Sequence, residues 1–384
     1  MSAKRPHAFY FLQLAGIAGL VPLLAGRLEV AGLSGWTVGA LMALLPAGRL
    51  VAAPLWAAVA DKYRLSGAVL RVSTGLSGIA GIALARAESV PALAIALFVF
   101  SATRAPIGSV LDSLVLDGLR AAGRPVSEYG RFRLWGSLGF LVGVFVAAEL
   151  DGWGFPPHLV SDFCLVAGFL LSFSFPWRGE GGIAPILPAL RELVGEPFFA
   201  PLILAGGLHA LSMSVYDTFY SLHVESIGLP QRVVGLSVVV GVGCEVLLMA
   251  WGRPLLERIG PARCLLLATL VSIPRWLIMA NSTDATVLVA AQVLHGVGFG
   301  AFWLAGVQRM SRGARPAIAA SAQSLWAAGT YGIGALVGAG LAGWARAELG
   351  SAGIFTMLAV VSVLASFAAL WLVIVDGRRG ASPA

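Results

Sequence analysis

A single carboxylate interrupts VGVGCEVLLMAWGRP, residues 240–254, a run otherwise made of apolar residues and glycine up to its last basic position. A charge at the centre of an apolar span costs about 2.5–3.5 kcal/mol on insertion scales, so Glu245 needs a partner or a cavity. Other ionisable residues stand in similar settings: Arg49 in AGRL, Arg104 and Asp112 in SATRAPIGSVLD, Arg275 in PRWLIM, His295 in QVLHG and His209 in span seven. Intramembrane ionisable groups are functional candidates by default. Glu245 is the first candidate for a proton carrier, because an arginine that approaches it in one state and retreats in another would switch its protonation. The guanidinium forks of Arg49, Arg104 and Arg275 match a substrate carboxylate. His295, and less directly His209, suit proton relay or cavity contact near neutral pH. A purely structural alternative stays open: permanent ion pairs in which Arg49 and Arg275 neutralise Glu245 and Asp112, leaving Arg104 for the solute.

These groups need helices to carry them. The chain is 58% hydrophobic and only 12% charged, against about 25% charged in an ordinary soluble chain. About twelve apolar runs are long enough to cross roughly 30 Å of hydrocarbon. The net charge of +7 is dispersed over short loops, so nucleic acid is not an expected partner. Loop residues such as Lys4, Arg5, Arg120, Arg124 and Arg309 collect on one side, against Arg27, Arg86, Arg232 and Arg346 on the other. The positive-inside rule then places both termini in the cytoplasm, and the expected location is a bacterial inner membrane. The three cysteines lie within or at the edge of spans, with no disulfide or metal-ligand spacing. No metal and no cofactor is expected. The glycine-rich GVGCE and GVGFG follow no strand of a βαβ unit and are not nucleotide sites.

The longest polar break, PWRGEGGIAPILPALRELVGEP, divides the spans six and six. The expected organisation is a six-helix bundle over 1–176, a cytoplasmic linker over 177–197 and a second bundle over 198–384. An offset of 196 residues superposes Gly39 on Gly235, Arg49 on Glu245 and Asp61-Lys62 on Glu257-Arg258. Two repeated halves with charges near midplane depth are the architecture of a transporter that alternates access. Asp112 lies about 12 Å beyond Arg104 along a helix, suiting proton coupling or an inner gate with Arg131 or Arg133. Asp61, Lys62, Arg64, Glu257 and Arg258 suit gates at the cytoplasmic turns, and Asp217 with Tyr220, in VYDTFY, an outer closure. Trp135, Trp326, Tyr331 and Gln323 offer rings and an amide to a flat solute, although packing is the commoner role for any one ring. Gly139 with Gly143, and Gly334 with Gly338, have the spacing of close helix contacts.

AVADKYR, residues 58–64, resembles a degraded copy of the loop between spans two and three of the major facilitator superfamily, and LLERIGPAR, 255–263, resembles its second-half counterpart. YGRFRLWGSLGFLVG, 129–143, together with AGRL, VLDSL, GCEV, PRWLIM and QVLHG, is similar to the phenylpropionate permease group, which is related to nucleoside and oligosaccharide proton symporters. The resemblance implies an all-α membrane protein of twelve transmembrane helices in two pseudo-symmetric bundles. It also implies secondary active, proton-coupled symport of an aromatic or other carboxylic acid; the expected state is a monomer, and the expected partners are solute, protons and lipid. It does not imply an enzyme. Arg104 departs from that group's pattern. A nucleoside or sugar symporter, a drug-efflux antiporter and, from another class, a non-transporting sensor or subunit are the alternatives.

Overall fold

The computed structural model describes residues 4–63, 65–124, 129–175, 186–251, 258–314, 322 and 325–380. Among these the secondary structure is helical, without a strand. Chains that must satisfy backbone groups inside hydrocarbon do so within helices. Among the described residues eight helical stretches are long and apolar enough to cross a membrane, with His158–Ser172 a shorter apolar helix. The contacts divide the chain into two compact units, Met1–Gly32 with Leu44–Ile183, and Leu33–Ala43 with Ala184–Ala384.

The first unit contains α1 (Lys4–Ala18), α2 (Val21–Val30), most of α3 (Gly35–Tyr63), α4 (Ser66–Ala85), α5 (Val90–Ala121), α6 (Tyr129–Gly152) and α7 (His158–Ser172). Its core gathers Phe9, Leu70, Ile107, Leu111, Phe132 and Phe175. Gly139 and Gly143 lay α6 directly on α1: a methyl at Gly143 would sit 2.8 Å from the Ala15 carbonyl oxygen. Arg71 of α4 donates to the carbonyls of Ser172, Phe173 and Phe175 at 3.3, 3.4 and 2.6 Å. A cation there satisfies the carbonyls that the end of α7 leaves without helical partners.

The second unit contains α8 (Ile186–Val194), α9 (Phe199–Ser226), α10 (Arg232–Trp251), α11 (Pro261–Asn281), α12 (Ala285–Ala290), α13 (Gln292–Gly313), a π-helical stretch (Ala328–Gly334) and α14 (Ala335–Gly380). α14 is two helices joined at Gly350, whose φ of 66° an L side chain would adopt only with strain. Gly334 and Gly338 lay the π stretch and the start of α14 on α9, with methyls there falling 2.5 Å from the Gly207 oxygen and 2.6 Å from the Leu211 oxygen. Both glycine pairs singled out from their spacing therefore mark backbone-to-backbone crossings, α6 on α1 and α14 on α9.

Side-chain hydrogen bonds complete this bundle. Trp276 Nε1 donates to Ser362 Oγ at 2.9 Å, and Ser366 Oγ to Thr269 Oγ1 at 3.0 Å. Arg309 holds Asp376 with Nε and Nη2 at 2.8–3.1 Å while its guanidinium lies 3.9 Å over the Phe198 ring. Such a fork-to-carboxylate pair ties α13 to the end of α14.

Candidate functional site

Span ten runs as one helical stretch with a tightened turn at Ala291. Asp284 caps α12, accepting from the Val287 amide at 3.0 Å, and Ala291, whose dihedrals stay helical, joins α12 to α13. Gln292, the first residue after that turn, is fully buried. Its Nε2 donates to the Leu288 carbonyl at 3.1 Å. That bond turns Oε1 toward the bundle interior, where it accepts from Arg275 Nη2 at 3.0 Å and from the Tyr216 hydroxyl at 3.2 Å. A flipped amide would put its NH2 group against a guanidinium, so the three bonds fix one orientation.

Arg275 follows Pro274 inside α11 and is enclosed completely. Its guanidinium lies 4.2 Å from the centre of the Tyr216 ring and 4.1 Å from that of Trp276, and Nη1 reaches the Met213 sulfur at 3.8 Å. Nε has no hydrogen-bond partner among the described residues. All these contacts are neutral. The charge is held by two ring faces and an amide dipole, where a buried guanidinium is ordinarily paired with a carboxylate. Asp217, the residue after Tyr216 on α9, is exposed.

The aromatic contacts continue from here as a row. Phe355 packs on Trp276, Trp276 on Tyr216, Tyr216 on His295, His295 on Phe299 with planes 20° apart, Phe299 on Phe302, and Phe302 on Trp326. His209 joins at Phe302, with ring centroids 4.6 Å apart. His209 is fully buried, and neither of its nitrogens, nor Nδ1 of the half-buried His295, finds a hydrogen-bond partner among the described residues. Tyr220 shares a 2.6 Å hydrogen bond with Ser237 of α10. Trp326 fills a slot floored by Gly206 and Gly306, where any side chain would strike its ring. Tyr331, on the π stretch, meets Trp303 edge to face at 5.4 Å, and both are half-buried. π-helical turns occur often at functional sites.

Glu245 lies on α10, 9% exposed. The neighbouring Cys244 crosses α13 so closely at Gly296 that a methyl there would sit 2.7 Å from the Glu245 nitrogen. That crossing pins the carboxylate's helix to the one carrying His295 and Gln292.

In the first unit Arg104 of α5 is half-buried. Its Nη2 donates to the Gln13 carbonyl of α1 at 2.9 Å, its guanidinium stands 5.5 Å over Phe100, and Nη1 has no hydrogen-bond partner among the described residues. The Gln13 side chain is 3% exposed, and neither end of its amide finds a hydrogen-bond partner among the described residues. Arg49 on α3 is exposed, and Trp135 on α6 is 41% exposed with His7 beside it at 5.6 Å.

The structure thus gathers Arg275, His295, His209, Asp217 and Tyr220 in the second unit, with Arg104 in the first. Asp112, Asp61, Lys62, Arg131 and Arg133 sit on helices, but their side chains lie outside the described residues, as do Arg64, Glu257 and Gln323 altogether. Arg258 is exposed just before α11. The expected sites did not include Gln292 or Gln13. A signal existed for the first: a polar residue one helical turn before His295. No cluster of histidine, cysteine or acidic residues that could hold a metal occurs among the described residues.

Comparison with known proteins places this geometry. The profile described as the MFS_1 like family matches residues 5–357. The maltose permease of Geobacillus stearothermophilus is 29% identical over 341 residues, covering 85% of this chain and 83% of that one. A probable 3-phenylpropionic acid transporter of Escherichia coli K12 is 26% identical over 371 residues, covering 94% and 91%. Among solved structures, nucleoside transporter NupG aligns over 97% of this chain and 99% of its own with a TM-score of 0.83 at 19% identity, a likeness of fold.

Proposed function

The chain belongs to the MFS_1 like family and is a multi-pass membrane protein, and from that premise we propose that it is a secondary active transporter carrying a small carboxylic acid, aromatic in the first instance, together with protons. The observation that carries the reading is Arg275: a fully enclosed cation whose contacts are all neutral. A guanidinium left in that state favours an anion that comes and goes over a permanent protein carboxylate. Arg104, half-buried in the first unit, likewise has a neutral acceptor, a backbone carbonyl. The aromatic row beside Arg275, and the Trp303–Tyr331 corner, offer ring faces and edges to a flat solute. The phenylpropionic acid transporter among the relatives points the same way.

In this reading Glu245 carries the proton, with His295 and Asp112 as further coupling groups. Arg49, Arg104, Arg275 and His209 bind, with Tyr331, Gln323 and Trp135 shaping the cavity and Trp326 supporting it from behind. Asp61, Lys62, Arg64, Arg131, Arg133, Glu257, Arg258, Asp217 and Tyr220 gate. The protein acts as a monomer in a bacterial inner membrane with both termini cytoplasmic, and the six-helix bundles over 1–176 and 198–384 rock about the 177–197 linker.

A second reading, a sugar or nucleoside symporter, draws on the maltose permease relative and the nucleoside transporter fold. Its hydroxyls would use Gln292, Tyr216 and Tyr220. The deciding measurement is solute-induced proton flux in proteoliposomes with 3-phenylpropionate, maltose and uridine, on wild type and Glu245→Gln. Proton movement with 3-phenylpropionate in wild type, lost in Glu245→Gln, supports the first reading. Movement with maltose or uridine alone replaces it with the second.

A further inference from the structure

Gln292 is fully buried, and its amide meets three groups on three helices. Nε2 donates to the Leu288 carbonyl of α12, while Oε1 accepts from Arg275 of α11 at 3.0 Å and from Tyr216 of α9 at 3.2 Å. The position therefore needs a donor at one end and a double acceptor at the other. An amide supplies both, whereas an ionised carboxylate would set an oxygen against the Leu288 carbonyl and an alkyl chain would satisfy none of the three. A fourth helix closes the space: a methyl at Gly241 of α10 would lie 3.7 Å from Gln292 Cβ and 2.9 Å from His295 Cδ2.

We infer that Gln292 is a positioning residue that sets the charge of the solute. It holds the Arg275 guanidinium through a neutral oxygen, and so makes the second unit select an anion over an uncharged molecule of the same shape. The amide occupies Nη2 and the Met213 sulfur faces Nη1, while Nε has no hydrogen-bond partner among the described residues. A guanidinium with neutral acceptors keeps its attraction for a carboxylate. A carboxylate at position 292 would sit on the same nitrogen as a built-in ion pair and cancel that attraction. Two side chains of nearly the same shape, glutamine and glutamate, thus stand for opposite preferences. Gln292 exchanges no proton, so its role is separate from that of Glu245, the proton carrier of the proposed function.

This assignment rests on the acid-transport reading. The test is equilibrium binding of 3-phenylpropionate and of its uncharged amide, 3-phenylpropanamide, to the purified full-length protein at about pH 7, where a carboxylic acid is ionised. Wild type should bind the acid about tenfold more tightly than the amide, since a charge-assisted contact exceeds a neutral one. In Gln292→Glu that preference should fall to within about twofold, through weaker binding of the acid. Gln292→Met removes the oxygen and adds no charge. It should weaken both ligands yet keep the acid preferred by about fivefold or more.

An acid preference that survives intact in Gln292→Glu overturns the proposal and leaves the acid reading standing. Should Gln292→Glu not fold, Gln292→Met decides: a preference kept supports the proposal, and a preference lost overturns it, because the packing of the side chain and not its neutrality would then be the cause. Wild type that binds maltose or uridine and neither phenyl compound removes the acid reading and this proposal with it.

Discussion

Two arginines, one enclosed and one half-buried, one in each unit, have guanidinium groups whose hydrogen-bond acceptors are uncharged, yet they are held in different ways. Arg104 is fastened by one bond to a backbone carbonyl, with one nitrogen unpartnered and an idle glutamine amide on the same residue as that carbonyl. Arg275 is fastened by a side chain, Gln292, which is itself fastened to the backbone carbonyl of Leu288, and is closed between two rings. A backbone acceptor cannot be mutated away and is indifferent to what donates to it. A side-chain acceptor makes the charge depend on one residue. The first site is therefore robust and loosely specified, the second exacting.

That contrast can be broken in several places. The largest effect is expected at Arg275→Met, which removes the cation, leaves the Gln292 oxygen with Tyr216 alone and should lower 3-phenylpropionate uptake about a hundredfold or more, roughly 2.7 kcal/mol in binding terms. Arg275→Lys should come close to it, because a point charge replaces a planar group packed between rings. Arg104→Lys, whose single bond to a carbonyl an ammonium can reproduce, should cost less than about tenfold. Equal losses in the two lysine variants would erase the distinction.

The glutamines sharpen it further. Gln292→Leu leaves a buried guanidinium nitrogen and a buried phenol without their acceptor and should destabilise the protein by about 1–3 kcal/mol in detergent unfolding. Gln13→Leu removes an amide that has no hydrogen-bond partner among the described residues, so its effect should be nil or stabilising by up to about 1 kcal/mol. If Gln13→Leu destabilised as much as Gln292→Leu, Gln13 would have a structural partner equal in worth to that of Gln292. The smallest effect is expected from Trp326→Phe, which keeps a ring in the glycine slot and gives up an indole N–H that has no acceptor among the described residues. About 1 kcal/mol or less should separate it from wild type, as for other near-conserving core exchanges.

Much of this was legible in the chain and some could not be. A charge in an apolar run violates hydropathy, so Glu245, Arg104, Arg275 and His295 announce themselves. The glycine pairs in spans five and eleven were readable because helix contact has a four-residue period. Gln13 raises no such signal, and Gln292 only that of a polar residue one turn before His295: a neutral amide is tolerated in a span, and its importance lies in what another helix brings to it. The slot for Trp326 is built from Gly206 and Gly306, a hundred residues apart, and no spacing rule joins them. The π-helical AGTYGIG reads as any glycine-rich helix, since one extra residue in a turn changes no composition.

The Trp276 indole lies against the guanidinium of Arg275 on one side and is anchored through its N–H to Ser362. Indole absorption and emission shift with the electric field across the ring, and this ring can neither tumble nor meet solvent. Trp276 is for that reason a fixed optical reporter built into the bundle, one whose spectrum registers the charge state of its neighbourhood without any label being attached.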